Sequence, residues 1–339
     1  MIYTHIEKQD IRKLAAMPYS WSALKNKTVL ISGGTGFIGS YMIEVLKERN
    51  AVYGDNISIV CLSRHALEDE GCVKYIAADI TKPFEIAADV DFIIHLASNT
   101  HPAQYSVDPI GTITTNVLGC YNLLEVARAK NTKRFLLASS VEIYGNGDEK
   151  PFAEQDCGYI DCNTARSGYN ESKRVSESLC QSYREQYGVE CVVGRLARVF
   201  GADRKNDTKA LAQFMEKAVR GEDIVLKSEG KQRFSYCYVT DAVSGLLKIL
   251  LDGKSGEAYN VSAEDEGKTL GDYARQIASL AGTKVVFDLV NGQKGASVSN
   301  FALLDCGKLK MLGWAPSYTV EQGLKSTYEI KKVLNSHGR

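Results

Sequence analysis

Lys27-Thr28-Val29-Leu30-Ile31-Ser32-Gly33-Gly34-Thr35-Gly36-Phe37-Ile38-Gly39 is an apolar run that ends in a glycine-rich turn. A helical pattern follows it over Ser40 to Arg49. Strand, tight turn and helix in that order make the setting of a dinucleotide-binding loop. Gly33, Gly36 and Gly39 keep a G-x-x-G-x-x-G spacing rather than the G-x-G-x-x-G of many dehydrogenases, but the physics is shared. The turn needs a residue without Cβ, the backbone has to approach a pyrophosphate, and the helix has to pack closely on the sheet. Phe37 and Ile38 then open the helix, whose free N–H groups face the phosphates. A glycine triplet alone marks many ordinary turns; its place at the first strand–helix junction makes it specific.

Outward from this loop, short apolar runs alternate with amphipathic stretches. The pattern predicts strands at Thr28–Ser32, Ile57–Leu62, Val73–Ala77, Phe92–Leu96, Arg134–Ser139 and Glu190–Leu196. Long helices are predicted over Asp108–Lys130 and Ala165–Tyr187. The strands are β-branched and nearly continuous in apolar character, as buried parallel strands are. The fold expected is α/β, a Rossmann-like doubly wound parallel sheet covered on both faces, with a smaller C-terminal substrate-binding domain. Residues 27–196 form the dinucleotide-binding domain, with a return segment near 233–261. Residues 197–232 and 262–339 form the smaller one, with helices at Lys209–Arg220 and near Thr240–Leu251. Residues 1–26 read as an N-terminal extension, helical around Ile6 to Ala16, that packs on the first strand.

The totals exclude several classes. The chain has 339 residues, 44% of them hydrophobic, and a formal net charge of zero, so neither nucleic acid nor an anionic membrane is favoured as a partner. Nine scattered cysteines lack metal-ligand spacing and suit a reducing cytoplasm. Met1 to Lys13 is charged and does not read as a signal peptide, and no window approaches bilayer-spanning length. A metal is not expected.

The end of the second strand commonly carries an acid for the ribose hydroxyls of NAD. Here it reads Leu62-Ser63-Arg64, and a serine with an arginine suits a 2′-phosphate, so NADP stands beside NAD as a possible cofactor. Arg64 could equally cover the adenine ring or be solvated. Asp79-Ile80, after the third strand, is placed to hold the adenine end, although an aspartate there is often a simple cap.

Tyr169-Asn170-Glu171-Ser172-Lys173 sets a tyrosine and a lysine four apart on one helical face. A free phenol titrates near ~10, too high for a base at neutral pH, and a neighbouring ammonium favours the phenolate. A shift of ~3 units needs about 4 kcal/mol of differential interaction. Ser139-Ser140-Val141-Glu142-Ile143-Tyr144-Gly145 ends a strand at the carboxyl edge of the sheet. There the Ser140 hydroxyl can orient a substrate oxygen and Glu142 adds a second acid/base group. The chemistry indicated is nicotinamide-dependent, on a hydroxyl or carbonyl.

From about Lys27 to Leu324 the chain resembles the extended short-chain dehydrogenase/reductases, the nucleotide-sugar epimerase/dehydratase/decarboxylase group. The resemblance rests on the glycine loop, His95-Leu96-Ala97-Ser98, Asn116, the Ser139–Gly145 segment, Tyr169/Lys173 and Leu312-Gly313-Trp314. Ala97 to Ile110, with Pro102 and Tyr105, is most similar to the UDP-glucuronate decarboxylases. The resemblance implies that Tyr169 takes the proton of a sugar 4-hydroxyl with help from Ser140, while hydride goes to bound NAD and later returns. Leu96, Ala97, Ser98 and Asn116 join the cofactor site; Tyr105, Arg198 and Arg233 join Ser140 in the substrate site. The substrate implied is a nucleotide-diphosphate sugar, and the two long helices imply a homodimer. Val141 and Arg198 depart from the family pattern, which has a small polar or acidic residue and an asparagine there. The branch therefore stays open among decarboxylation, 4-epimerisation and 4,6-dehydration. Net reduction of a keto-sugar by NADPH and a catalytically dead nucleotide sensor are the readings from other classes.

Overall fold

The apolar runs of the first half pair into one parallel sheet. In the computed structural model, which describes residues 3–100, 105, 107–204, 209–263, 267–289 and 300–337, the strands are β1 (Thr28–Ser32), β2 (Ser58–Ser63), β3 (Val73–Ala77), β4 (Phe92–His95), β5 (Arg134–Ser140), β6 (Cys191–Leu196), β7 (Arg198–Phe200), β8 (Ile224–Leu226), β9 (Arg233–Phe234), β10 (Tyr236–Tyr238), β11 (Ala258–Val261), β12 (Val285–Phe287) and β13 (Phe301–Ala302). The large sheet runs β11-β6-β5-β4-β1-β2-β3, parallel throughout. Three two-stranded pairs, β10–β7, β12–β8 and β13–β9, serve the second half. The helices are α1 (His5–Ala15), α2 (Phe37–Tyr53), α3 (Pro109–Ala129), α4 (Ser167–Tyr187), α5 (Ala210–Val219), α6 (Val239–Asp252), α7 (Leu270–Ala281), α8 (Gly307–Met311) and α9 (Val320–His337). This is the doubly wound α/β fold expected. Most element ends differ from expectation by a residue or two, as at β2, which runs from Ser58 to Ser63, while α2 extends beyond the expected Ser40 to Arg49 at both ends.

Alternation along β1 shows why both faces are covered. Val29 and Ile31 join the core with Tyr41, Met42 and Val45 of α2 and with α6. Leu30 points the other way, into the core that Leu123 and Leu124 of α3 and Cys180 of α4 close. The strand order reverses at β1, between β4 and β2, and a doubly wound sheet binds ligands outside the strand ends at such a point. Gly33 follows β1 and Leu96 follows β4, so the loop and the His95–Ser98 segment meet there.

The N-terminal segment does form a helix, and α1 packs on α2, α6 and α9, with Ile11 and Leu14 in the same core as Val29 and Ile31 of β1. Its start is fixed by a capping box between Thr4 and Glu7. Glu7 is fully buried and accepts from Tyr41 Oη at 2.8 Å and Arg204 Nη2 at 2.8 Å. Asp10 accepts from the hydroxyls of Tyr238 and Tyr318. One polar face of α1 thus joins the helix after the glycine loop to the second half of the chain.

Asp241, at the start of α6, is fully buried and accepts from the Ser317 and Tyr318 amides at 2.7 and 3.0 Å. Burial pushes its carboxyl up to about 7. The native state therefore keeps a proton that an unfolded aspartate, with a pKa of about 3.9, has lost. The contribution of this group to stability is full below about pH 4 and falls as pH rises toward its native value. Asp241→Asn is expected to flatten that fall, read as the change in urea midpoint between pH 4.5 and 7.5 relative to the parent; an unchanged difference refutes the assignment.

Candidate active site

The glycine loop is built by close approach. Gly33 sits at φ +74°, and a Cβ there would lie 2.7 Å from the Ala97 amide nitrogen. A Cβ on Gly39 would lie 2.2 Å from the Gly33 carbonyl oxygen. Gly36 is the N-cap of α2 and offers no side-chain cap, so the first amides of that helix, at Phe37 and Ile38, stay available to an anion. Glycine backbone, a helix N-terminus and the β4 end converge at the switch point, and this cradle fits a dinucleotide pyrophosphate.

The two adenine-side candidates share the outer end of the sheet. Ser63 is buried and its Oγ accepts from the His65 amide at 3.3 Å, while Arg64 is exposed. Asp79 accepts from both the amide and the hydroxyl of Thr81, at 3.0 and 2.8 Å, which holds its carboxyl below the usual range, with a smaller contribution from Arg64. Ile80 is buried and its carbonyl accepts from Asn122. Leu96 and Ala97 are half-buried. Ser98 donates to Asn116 Oδ1 at 2.7 Å, and buried Asn116 donates to Ser172 Oγ at 2.9 Å. This polar chain ties the end of β4 to the helix that carries Tyr169.

Tyr169 and Lys173 lie one turn apart on α4, both buried. The Ser140 hydroxyl bonds the Tyr169 phenol, and the Tyr105 ring stacks on it at 4.6 Å. Of the Ala97–Ile110 segment, Tyr105 is in view and Pro102 lies outside the described residues. The sequence reading has Lys173 lowering the phenol's pKa; the resting structure has the opposite sign. Burial raises Tyr169, and the Ser140 bond opposes that only in part. Burial brings Lys173 down to about 8, and its Nζ donates to the Ala138 carbonyl at 2.8 Å. That bond holds Nζ at the end of β5 and uses one of its three donors.

Glu142 is not a free carboxylate. Arg166 Nη2 meets its Oε2 at 3.0 Å and Arg198 Nη2 its Oε1 at 3.4 Å. Arg166 also lies over the Tyr105 ring, 4.8 Å from its centre. Arg198 lies over Phe234, 3.5 Å from the ring centre, and its Nη1 is buried with no hydrogen-bond partner among the described residues. Two guanidinium groups on one carboxylate leave a net positive cluster beside Ser140 and Tyr169, with a spare donor.

Arg233 does not join this cluster. In the two-residue strand β9, alternation gives Phe234 to Arg198 and sends Arg233 the other way. Its guanidinium lies 5.7 Å from the Phe301 ring and lines a hollow of about 410 Å³ with Glu149, Gln232 and Asn300. Arg166 was not among the sequence candidates, although its place three residues before Tyr169 on the same helical face marks it.

A doubly wound sheet with a pyrophosphate cradle and a buried Tyr/Lys pair at the strand ends defines a dinucleotide-dependent enzyme. Residues 29–262 match the family model described as the NAD dependent epimerase/dehydratase family, and the chain belongs to that family. UDP-glucuronic acid decarboxylase 3 of Arabidopsis thaliana is 32% identical over 332 residues, covering 94% of each chain. UDP-glucuronic acid decarboxylase 1 of Xenopus tropicalis is 31% identical over 89% of this chain and 71% of its own length. Among solved structures, UDP-glucuronic acid 4-epimerase of Bacillus cereus, in complex with UDP-glucuronic acid and NAD, superposes with a TM-score of 0.76 at 19% identity, over 91% of this chain and 99% of that one. It shares the fold.

Gly33→Ala puts an L-residue in the left-handed region, at about 1–2 kcal/mol, and drives its Cβ into Ala97. It is expected to weaken NAD about tenfold or more by fluorescence titration; unchanged affinity removes the loop from the cofactor site.

Proposed function

We propose that this enzyme remodels a nucleotide-diphosphate sugar through a transient 4-keto intermediate with recycled NAD, and that its branch is decarboxylation of a nucleotide-linked uronic acid such as UDP-glucuronate. The observation that carries the branch is the Arg166–Glu142–Arg198 cluster. Its surplus positive charge and the unpartnered Arg198 Nη1 suit an anionic group on the substrate, and an arginine fork suits a carboxylate or a phosphate. The decarboxylase names of the relatives support the same branch.

Gly33, Gly36, Phe37, Ile38 and Gly39 hold the pyrophosphate in this reading. Asp79, Ile80 and Ser63 line the adenine end, and Leu96, Ala97, Ser98 and Asn116 line the passage to Tyr169. Bound NAD supplies the acceptor for the C4 hydrogen, a positive charge that favours the Tyr169 phenolate, and the return of that hydrogen at the end. Tyr169 takes the 4-hydroxyl proton while Ser140 holds the oxygen. Once C4 is a ketone, the C5–C6 bond pair drains into it as CO₂ leaves, and the enolate takes a solvent proton at C5. Tyr169 then gives its proton back to O4. Glu142 orients Arg166 and Arg198 toward the substrate anion, and Tyr105 shields the phenol from water.

Arg64 favours a second reading of the cofactor, NADP, because it is exposed at the end of β2 where a 2′-phosphate would lie. The exposed apolar side chains of α3 and α4, among them Ile113, Leu118, Tyr121 and Val175, support a homodimer through those helices. Among the described residues no helix is long and apolar enough to cross a membrane, and all nine cysteines are free, which supports a reducing cytoplasmic setting.

Purified protein given UDP-glucuronate is expected to release CO₂ with no stoichiometric change at 340 nm, and Tyr169→Phe to lower the rate by at least about a hundredfold. A 4-epimer product with no CO₂ would replace the branch; stoichiometric NADPH consumption would replace the recycled cofactor. Arg198→Asn is expected to raise KM for UDP-glucuronate about tenfold or more, by loss of a charge-assisted pair. An unchanged KM removes Arg198 from the substrate site.

A further inference from the structure

The polar face of α1 meets both sides of the active site from behind. Glu7 Oε1 accepts from Tyr41 Oη on α2, and Glu7 Oε2 accepts from Arg204 Nη2, each at 2.8 Å. Tyr41 is one turn beyond Phe37, which opens α2 at the glycine loop, and the two rings meet edge to face at 6.0 Å. Tyr3 completes the group: its ring stands edge to face with Tyr41 at 5.6 Å, and the Arg204 guanidinium lies 5.0 Å from its centre. Phe37 also touches the second half of the chain directly. A Cβ on Gly201 would lie 2.9 Å from Phe37 Cζ, so the Phe37 ring takes the space of a side chain at residue 201. Gly201 follows β7, and β7 opens with Arg198. β7 pairs with β10, whose last residue, Tyr238, donates to Asp10 one turn further along α1.

We propose that Glu7 is a positioning residue that couples the cofactor cradle to the substrate arginine: one carboxylate holds Tyr41 of α2 and Arg204 beyond β7, so that ordering the start of α2 also fixes the strand that presents Arg198. This rests on the reading of the Phe37 and Ile38 amides as part of the NAD site and of Arg198 as a substrate group. The seam is contiguous, running from Gly201 to the Phe37 ring, on to Tyr41, through Glu7 and back to Arg204. Glu7 is fully buried, and moving either partner away strips a hydrogen bond from a charge that water does not reach. Packed side chains and hydrogen-bond networks of this kind carry energetic coupling between sites. A ligand that orders such a seam lowers the ordering cost left to a second ligand, and the two then bind cooperatively. The coupling is reciprocal, so it can be read on either ligand. Glu7→Gln isolates the charge, because a glutamine still serves the capping box with Thr4 while giving up the ionic grip on Arg204.

The test uses the full-length protein in a Tyr169→Phe background, which suppresses turnover. Freed of cofactor, this parent is titrated with NAD in the absence and in the presence of saturating UDP-glucuronate. UDP-glucuronate is expected to tighten NAD about fivefold or more, and Glu7→Gln to bring that ratio to within about twofold of unity. A merely structural loss would weaken NAD by the same factor with and without UDP-glucuronate and leave the ratio as it was. Where Glu7→Gln leaves Arg204 unpaired and does not fold, Glu7→Gln with Arg204→Met removes both charges and is measured instead, with the same loss of coupling expected. A ratio of unity in the parent, or a charge-free variant that keeps the parent's ratio, overturns the proposal. Protein that binds NAD but gives no heat on titration with UDP-glucuronate has lost the substrate reading and this proposal with it. Protein that binds both, each indifferent to the other, has lost this proposal alone.

Discussion

The site depends on two strand ends coming together without side chains between them. At the switch point of the sheet, the turn after β1 and the segment after β4 approach until a single Cβ on residue 33 would collide with Ala97. This contact opens the path for a phosphate along the backbone and sets the start of α2. It also places Ser98 where it can pass a hydrogen bond through Asn116 to α4. The helix that carries the phenol and the loop that suits the pyrophosphate are thus located by one steric fit. The parallel register of β1 with β2 and β4 transmits that fit across the sheet.

Charge placement follows a matching rule. Buried carboxylates among the described residues are either gripped by arginine or capped by hydroxyl and amide donors: Asp55 by Arg49, Glu7 by Arg204, Asp241 by two amides. Removing one member of such a pair costs about 3–5 kcal/mol, because the other is left buried and uncompensated. Arg198 breaks the pattern, with one amino group turned toward Glu142 and the other toward nothing. Among the described residues two guanidinium N–H groups are buried without a partner, Arg198 Nη1 near Glu142 and Arg233 Nε, and both are donors open to a group from outside the chain.

Local pattern carried much of this to the reader of the sequence. The β1–turn–α2 unit is contiguous, and Tyr169 and Lys173 share a helical face by their spacing alone, so both were legible. The partners of Glu142 were less so: Arg166 is 24 residues away and Arg198 56, and only folding brings them to one carboxylate. The resemblance implies a substrate role for Arg233 and marks Arg198 as a departure from the family pattern, but it does not show that alternation in a two-residue strand turns Arg233 toward Phe301 and puts Phe234 beneath Arg198. The sign of the Tyr169 shift was hidden for another reason. Helical spacing gives proximity, whereas burial is a property of the whole fold, and here burial outweighs the Ser140 hydroxyl that favours the phenolate.

The anchoring of α1 has a consequence for how the chain is made. Asp10 leaves the ribosome well before the hydroxyl of Tyr318 that caps it, which is 308 positions later. Glu7 waits 197 positions for Arg204. Until those stretches emerge, α1 lacks the Arg204 cation for Glu7 and both hydroxyls for Asp10, so it has reason to remain undocked while the sheet assembles. Its seating is then a late event of biosynthesis, a latch closed by residues made hundreds of positions after it.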